Sequence, residues 1–458
     1  MTWKIPRRLV SLLPMSTPSA SPTAPALPPE LRIEPIGRPI DLDIAIPGSK
    51  SITNRYLVMG ALADGDVTLS GLLHSDDTVH MINGLRALGF EVQENWAEHR
   101  CMIRGKGGVI PAAGAEVYVG AAGTVMRFLS AFVTLGKGRF RLDGTPRMRE
   151  RPIEDLLLSL RELGVKAQSE FGNQCPPVIV DADGLPGGAV AIDGSRSSQY
   201  ISALLLIAPY ARQPMRINVT GNFVSRPFVE LTLHGMSDFG VGTDTEGERL
   251  YRPTHGIKYR PGAYEVEGDA TAASYFLAAA AILGGRCCVT NIRADSAQGD
   301  AGFADVLRRM GCRVREGFLP GHRGIEVSRD PKTPLKAIDA DLNDMPDVVL
   351  TLAAVCLFAD GPSLIENVGN LRIKETDRLT ALTTELRRLG AKVDEGQDSL
   401  EITPAETLDA AVETYDDHRM AMAMALAGLA RPGVTIKNPS CVSKTYPEYF
   451  QDLEKLRK

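Results

Sequence analysis

No run of about twenty apolar residues occurs anywhere in this chain, so no transmembrane helix is expected. Charge of one sign is also lacking. The 51 lysines and arginines face 56 aspartates and glutamates, for a formal net charge of −5. That balance gives no reason to expect a nucleic acid or a membrane as partner, and any anion must be held by locally gathered cations. The seven cysteines are odd in number and scattered, with no CxxC spacing. A disulfide framework and a zinc site are therefore excluded. Cys287 and Cys288, being adjacent, read as strand residues, and a reducing, cytosolic compartment fits this usage. Neither GxxxxGK[ST] nor HExxH occurs, and Gly105-Lys106-Gly107-Gly108 reads as a turn rather than a dinucleotide fingerprint. Of seven histidines only His418 lies in a dense polar cluster, so the hydroxyl-rich segments have no partner for a hydrolase triad.

What is present is ordinary globular material, 44% hydrophobic and 23% charged, in 458 residues. That length predicts two domains. Residues 1–30 differ from the rest. Lys4, Arg7 and Arg8 precede a short apolar patch and a Ser/Pro/Ala/Thr stretch with no acid before Glu30. The patch is shorter than the roughly 7–15 residues of a secretory signal, so a disordered tail or an over-long start is expected ahead of the alternative, a targeting peptide.

A pattern then recurs: an amphipathic helix end, a Leu, Met or Phe followed by Gly, then a strand. Its glycines are Gly89, Gly164, Gly240, Gly311 and Gly390, separated by 75, 76, 71 and 79 residues. Each glycine suits a left-handed helix C-cap. One such match means little, but five at near-constant spacing predict repeated units, three per domain. A sixth helix, residues 449–456, ends the chain, and its strand would have to come from residues 32–46. The first strand thus belongs with the C-terminal half, and the chain crosses between domains near Pro47 and near Gly268. The expected division is a tail at 1–30, a first domain of 31–47 plus 268–458, and a second of 48–267.

Polar motifs sit where strands give way to helices. Ile40, Leu42, Ile44 and Ile46 alternate with polar residues as in a half-buried strand, and Pro47-Gly48 breaks it. Ser49-Lys50-Ser51-Ile52-Thr53-Asn54-Arg55 follows, with Ser51 and Arg55 on one helical face. Gly120-Ala121-Ala122-Gly123-Thr124 places glycines where backbone amides approach a ligand. Arg147, Arg149 and Arg151 precede Pro152. Ser195-Arg196-Ser197-Ser198-Gln199 gathers hydroxyls at a helix start, Met345-Pro346-Asp347 leads into an apolar run, and Lys444 precedes the last helix. The densest clusters are Asn370-Leu371-Arg372-Ile373-Lys374-Glu375-Thr376-Asp377-Arg378 and Tyr415-Asp416-Asp417-His418-Arg419. N-capping and solvation account for any one motif alone. Together they predict helix N-termini facing across a cleft rich in arginine, where multiply anionic ligands bind and a proton moves.

Four of these motifs carry a family resemblance. Pro47-Gly48-Ser49-Lys50-Ser51, Arg147-Met148-Arg149-Glu150-Arg151-Pro152, Arg372-Ile373-Lys374-Glu375-Thr376-Asp377-Arg378 and Asp417-His418-Arg419-Met420-Ala421-Met422 resemble the 5-enolpyruvylshikimate-3-phosphate synthases, and the likeness runs from about Leu31 to the C-terminus. The resemblance implies an α/β fold of two inverse domains, each of three βαβαββ-type units, joined by a two-strand hinge. It implies transfer of the enolpyruvyl group of phosphoenolpyruvate to the 5-hydroxyl of shikimate 3-phosphate, in aromatic amino acid biosynthesis, by a cytoplasmic monomer with no metal or organic cofactor. It further implies that Lys50, Ser51, Arg55, Ser197, Ser198, Gln199, Ser225, Asp347, Asn370 and Lys374 contact shikimate 3-phosphate. Lys50, Gly123, Arg147, Gln199, Arg378, Arg419 and Lys444 would surround phosphoenolpyruvate. Asp347 would be the base at the 5-hydroxyl, and Glu375, with Lys50 beside it, the proton donor to the methylene carbon, a role that demands a raised pKa.

One loop departs from the family pattern. Ala121 and Phe128 stand where the family commonly has Asn and Pro, which predicts a slightly displaced Gly123 and Thr124 and an altered response to glyphosate. Two other readings compete. The related enolpyruvyl transferase of UDP-N-acetylglucosamine typically carries a catalytic Cys in a mobile loop, and the corresponding region, Gly120 to Arg127, has none. A non-catalytic anion-binding homologue would lose Asp347, Glu375 or Lys50, and all three are present.

Overall fold

The computed structural model describes residues 27–293, 295–317, 324–406 and 408–458. Of the expected tail, residues 1–26 lie outside the described residues. The last residues assigned to it do not behave as a tail. Glu30–Arg32 is a strand paired antiparallel with Val434–Lys437, and the Asn438 amide donates to the Pro29 carbonyl at 2.8 Å.

All five repeat glycines adopt positive φ: Gly89 91°, Gly164 87°, Gly240 83°, Gly311 100° and Gly390 103°. At each, the next residue's amide donates to a carbonyl five positions back, as Phe90 does to Leu85 at 3.0 Å and Ala391 to Leu386 at 3.0 Å. These are Schellman closures, and a side chain at the glycine would pay the left-handed strain.

Twelve helices can be followed among the described residues: α1 (Lys50–Leu62), α2 (Asp76–Ala87), α3 (Gly123–Phe132), α4 (Glu154–Glu162), α5 (Ser198–Ile207), α6 (Pro227–Asp238), α7 (Ala270–Leu283), α8 (Phe303–Arg309), α9 (Val349–Cys356), α10 (Arg378–Arg388), α11 (His418–Ala430) and α12 (Tyr449–Glu454). Five of the six units run strand, helix, strand, helix, strand, strand, and the sixth has a three-stranded sheet. In the unit that starts at Gly114–Tyr118, that strand lies parallel to Lys137–Asp143 across the α3 crossover. Val178–Asp183 then pairs antiparallel with Lys137–Asp143, and Lys166–Ser169 forms the edge. The same order recurs in four other four-stranded sheets.

Three units are completed from a distance. Gly262–Glu265 lies parallel to Asp66–Ser70 and supplies the first strand of the α1 unit. In the C-terminal half, Ile40–Ile44 lies parallel to Gly285–Val289 and opens the α7 unit, with Ile40 and Ile44 buried and Asp41 and Asp43 exposed. The sixth unit is therefore closed by Glu30–Arg32 and not by the alternating strand at 40–46, which corrects the expectation. The alternating pattern reported burial correctly but carried no information on which sheet would receive it.

The first helix of each unit is buried on nearly all sides and lies inside. α3 has all ten residues buried, and Ala-rich α7 has thirteen of fourteen. α1, α3 and α5 pack together in one core, α7, α9 and α11 in another. The second helices are amphipathic and cover the outside. One core spans residues from Ile52 to Val266, the other Ile33 to Ile46 together with Ala270 to Leu456. The chain passes between them through two adjacent extended segments, bridged antiparallel at Gly48 and Gly268. Ser49 donates to the Glu267 carbonyl at 2.8 Å and Asp269 to the Pro47 carbonyl at 2.9 Å. No helix among the described residues is long and apolar enough to cross a membrane.

Candidate active site

The inner helices begin where the two cores meet, so their N-terminal residues share one cleft. Ser49 caps α1, its hydroxyl accepting from the Ile52 amide at 3.4 Å, which leaves Lys50 and Ser51 on the first turn. Ser197 caps α5 by accepting from the Gln199 amide at 3.3 Å. Gly123 opens α3 behind Ala122, which offers no side-chain cap. A Cβ on Gly123 would lie 2.2 Å from Arg127 Nη1 and 2.8 Å from Arg151 Nη2, so glycine is the residue that lets these guanidiniums pass.

Asp347 does not cap α9. It sits in the 3₁₀ turn Pro346–Val348 with its carboxylate held by cations: Arg378 Nη1 at 3.2 Å, Arg419 Nη2 at 2.9 Å and Lys374 Nζ at 3.9 Å. Arg378 is 1% exposed and engages three carboxylates at once. Its Nη2 donates to Glu375 at 2.9 Å, and its Nε to Asp417 Oδ2 at 2.8 Å. Asp417 is itself the cap of α11, accepting from the Arg419 amide at 2.9 Å. Capping and ion pairing thus fix Arg378 from behind, while Asp347 and Glu375 flank it on the cleft side.

The electrostatics follow from this crowding. Burial works to raise the pKa of Glu375, but Lys444, Arg378 and Arg151 outweigh it and hold the carboxyl well below the usual range. Asp347 is held low in the same way by Arg419, Lys374, Arg378 and Lys50. Both groups are ionised in this structure, which differs from the raised pKa expected of Glu375. Burial lowers Lys374, pushes Arg55 down to about 9 and Arg151 down to about 10. His418 is fully buried with neither ring nitrogen partnered, and burial with Arg419 and Lys444 nearby keeps it neutral.

Ten expected residues line one narrow cavity of about 30 Å³: Lys50, Ser51, Arg55, Ser197, Ser198, Gln199, Ser225, Asp347, Asn370 and Lys374. Thr124, Arg196 and Phe228 complete its wall. A larger cavity of about 930 Å³ beside it is lined by Arg147, Arg151, Glu375 and Lys444, among others. Asp347 faces the first space and Glu375 the second. Arg378 and Arg419 touch these carboxylates from below, and Gly123 backs the wall under Arg151.

One expected detail changes, and three further side chains hold contacts that the sequence did not indicate. Lys50 is not beside Glu375: its ammonium lies 3.7 Å from Asp77, and the lysine on Glu375 is Lys444, at 2.8 Å. The Arg55 guanidinium is largely committed within its own half, to Thr232 at 2.8 Å, the Phe228 carbonyl at 2.7 Å and the Ser51 carbonyl at 3.0 Å. It also lies over Phe128, 5.3 Å from the ring centroid. Gln199 donates to Thr124 at 3.2 Å, leaving its buried carbonyl oxygen without a partner. Arg147 reaches across the cleft to backbone, donating to the carbonyls of Lys374 and Glu375 at 3.0 Å each.

Further contacts join the two halves. Asn370 donates to Ser225 at 3.1 Å, Ser443 to Asp76 at 2.7 Å, and Lys444 to the Ala121 carbonyl at 3.1 Å. The sequence reading missed Asp77 and Arg151 as site residues. Ser75-Asp76-Asp77 is a helix entrance like the others, with Ser75 capping α2 at 3.4 Å, so the same rule would have found it. Arg151 lay within a quoted motif, but nothing in the sequence said which of three arginines turns inward.

Comparison with known proteins agrees with this geometry. The family model described as EPSP synthase (3-phosphoshikimate 1-carboxyvinyltransferase) matches residues 35–453. The chloroplastic 3-phosphoshikimate 1-carboxyvinyltransferase of Brassica napus is 46% identical over 445 residues, covering 94% of this chain and 85% of that protein. The 3-phosphoshikimate 1-carboxyvinyltransferase of Sulfurovum sp. (strain NBC37-1) is 46% identical over 429 residues, covering 93% and 99%. A solved EPSP synthase from Acinetobacter baumannii superposes with a TM-score of 0.78 at 23% identity, over 93% of this chain and 98% of that one, and so shares the fold. Matched along nearly its whole length in both sequence and architecture, the chain belongs to the EPSP synthase family.

Proposed function

We propose that this protein joins phosphoenolpyruvate to the 5-hydroxyl of shikimate 3-phosphate in the cleft between its two cores, releasing phosphate, and that the residues 48–267 and 31–47 plus 268–458 act as the two closing lobes. The observation that carries this reading is the pair of carboxylates, Asp347 and Glu375, set on different cavities on either side of Arg378. Addition across the double bond of an enol phosphate needs one group to take the hydroxyl proton and another to protonate the methylene carbon, and loss of phosphate from the resulting adduct then returns a methyl proton to a base and restores the double bond. Asp347, ionised and lining the narrow cavity with Ser51, Ser197, Ser198, Ser225, Asn370 and Lys374, is the base. The serines, the amide and the lysine hold the phosphorylated acceptor.

Glu375 is the acid. Its carboxyl is held low by Lys444, Arg378 and Arg151. The carboxylate and phosphate of phosphoenolpyruvate, bound by Lys50, Arg147, Arg151, Arg378, Arg419 and Lys444, take over those cations and raise the Glu375 pKa, so that the ligand creates its own proton donor. Planar guanidiniums suit this exchange, since each binds a carboxylate through two donors.

A cavity of about 30 Å³ admits about one water. Ligand entry therefore requires the cross-cleft contacts of Arg147, Asn370, Ser443 and Lys444 to part and reform. Closure excludes water, which would otherwise weaken each charge interaction. A phosphate-release assay tests the assignment: turnover with shikimate 3-phosphate and none with UDP-N-acetylglucosamine is expected, and the reverse pattern refutes it. The substitutions at Ala121 and Phe128 alter inhibition by glyphosate on this reading, and equal inhibition constants for this protein and an Ala121→Asn, Phe128→Pro double variant dismiss that point.

A further inference from the structure

One buried carboxyl beside the site has no part in the chemistry above. Asp300 lies in the 3₁₀ turn Gly299–Gly302 that leads into α8, 3% exposed. One oxygen accepts from the Thr271 hydroxyl on the first turn of α7, and the other, Oδ1, is buried with no partner. The turn is pressed against the segment that carries Asp347. A Cβ on Gly302 would meet Met345 Sδ at 3.1 Å, and one on Gly299 would meet Pro227 of the opposite half at 2.5 Å and the Asp344 carbonyl at 3.4 Å. Asp300 is thus wedged between the start of α7 and the loop holding Asp347.

The charged groups that face it come from three other elements: Asp347 from the turn before α9, Arg419 from α11 and Asp269 from the α7 cap. Asp347 has three cations on it, whereas Asp300 has one hydroxyl and an orphaned oxygen. Two carboxyls near one buried arginine compete for it, and the better-solvated of the two keeps the charge.

We propose that Asp300 is a positioning residue that takes up a proton when a dianion enters the cleft, so that Asp347 alone carries the negative charge neutralised by Arg419 and Arg378. Burial first, then the charge of Asp347, raise the Asp300 carboxyl to about 7, against the opposing pull of Thr271 and Arg419. An incoming dianion draws on the same cations and pushes it higher. Above neutral pH the ionised Asp300 opposes anion binding, and below it the neutral acid does not. This inference rests on the reading of Asp347 and its cations as the ligand-binding centre.

Inorganic sulfate tests it without turnover, because sulfate does not titrate in this range. Calorimetry at pH 7.5 in two buffers of different ionisation heat should show a fraction of a proton taken up per sulfate bound, as for a group near pKa 7 that is pushed higher. Asp300→Asn, isosteric with the neutral acid, should lose the Asp300 share of that uptake, leaving only what Glu375 contributes. It should also hold KM for phosphoenolpyruvate flat between pH 6.5 and 8.5, where the parent enzyme rises several-fold. Thr271→Val removes the bond that lowers the Asp300 pKa, so its uptake maximum should move to higher pH. That variant decides the question if Asp300→Asn fails to fold. Unchanged uptake in Asp300→Asn, an unmoved maximum in Thr271→Val, or no sulfate binding overturns the proposal. Failure of the enolpyruvyl-transfer reading would show separately, as absent phosphate release with proton uptake intact.

Discussion

Replacing Arg147 with glutamine separates closure of the cleft from folding of the lobes. Its guanidinium spans the cores, donating from Nε to the Glu375 carbonyl and from Nη2 to the Lys374 carbonyl, at 3.0 Å each. A hydrogen bond from a charged donor contributes about 1.5–3 kcal/mol. The Arg147 side chain is 38% exposed, so solvent screening lowers this, and the two together are worth about 2 kcal/mol to the closed arrangement. At 1.4 kcal/mol per tenfold, that is roughly a 30-fold loss in the closed-to-open ratio. Neither acceptor belongs to the core that holds Arg147, so the lobes keep their own packing. Arg147→Gln should therefore lower kcat/KM by about 30-fold while leaving the urea midpoint of unfolding within error, and Arg147→Lys, with one point donor, should fall between. Steady-state phosphate release and urea denaturation followed by tryptophan fluorescence read the two quantities. A kcat/KM within twofold of the parent, or a fall in midpoint parallel to the fall in activity, refutes the argument that these bonds act between lobes.

Asp347→Asn removes the base but frees Arg378 and Arg419 to hold anions. We expect kcat to drop at least 100-fold with KM for phosphoenolpyruvate unchanged or lower; a rise in KM with kcat preserved would assign Asp347 to binding instead. Asp417→Ala removes one of the three carboxylates on the fully buried Arg378 and uncaps α11. Breaking such a pair costs about 3–5 kcal/mol, so the unfolding midpoint should fall sharply, and a stability within 1 kcal/mol of the parent contradicts the geometry. Gly123→Ala sets a methyl against Arg127 and Arg151, which should raise KM for phosphoenolpyruvate about tenfold with little change in stability. An unaltered KM would show that Arg151 does not touch that ligand.

The repeat was legible because its signal is local. A left-handed glycine closing each outer helix is a backbone requirement, written at Gly89, Gly164, Gly240, Gly311 and Gly390 whatever surrounds it. Inner helices announced themselves as runs such as Val349–Cys356, too apolar for a surface. Strand order was less legible, because the alternation of Ile40–Ile44 and the short Glu30–Arg32 do not name their sheets. Pairing with Gly285–Val289 and with Val434–Lys437 is decided by packing at long range. In the site, residue types and helix entrances came from sequence, and ten of the thirteen residues lining the narrow cavity came from the family resemblance. Side-chain direction did not. Lys50 turns to Asp77 and Lys444 to Glu375, and Arg151 turns inward while Arg149 pairs with Asp143 at the surface, because each choice depends on a neighbour supplied by another element.

The cleft reverses the charge of the protein that contains it. The chain as a whole carries −5, yet Lys50, Arg147, Arg151, Lys374, Arg378, Arg419 and Lys444 converge there on Asp77, Asp347, Glu375 and Asp417. The unmatched cations lie in low dielectric, and burial has already lowered Lys374 and Arg151, so an entering dianion relieves a desolvation penalty that the fold sustains in its absence. Groups this buried are screened far less by salt than surface pairs are. Long-range attraction is the opposite case, since the chain as a whole is net negative and most of these cations are buried. Raising ionic strength from 0.05 to 0.5 M should therefore leave the association rate of a dianionic ligand nearly constant. It should weaken equilibrium binding only modestly, by about threefold to tenfold. Stopped-flow binding of the phosphorylated acceptor measures both. A steep fall in association rate with salt would mean that exposed charges steer the ligand, and the buried surplus would then not be the source of its affinity.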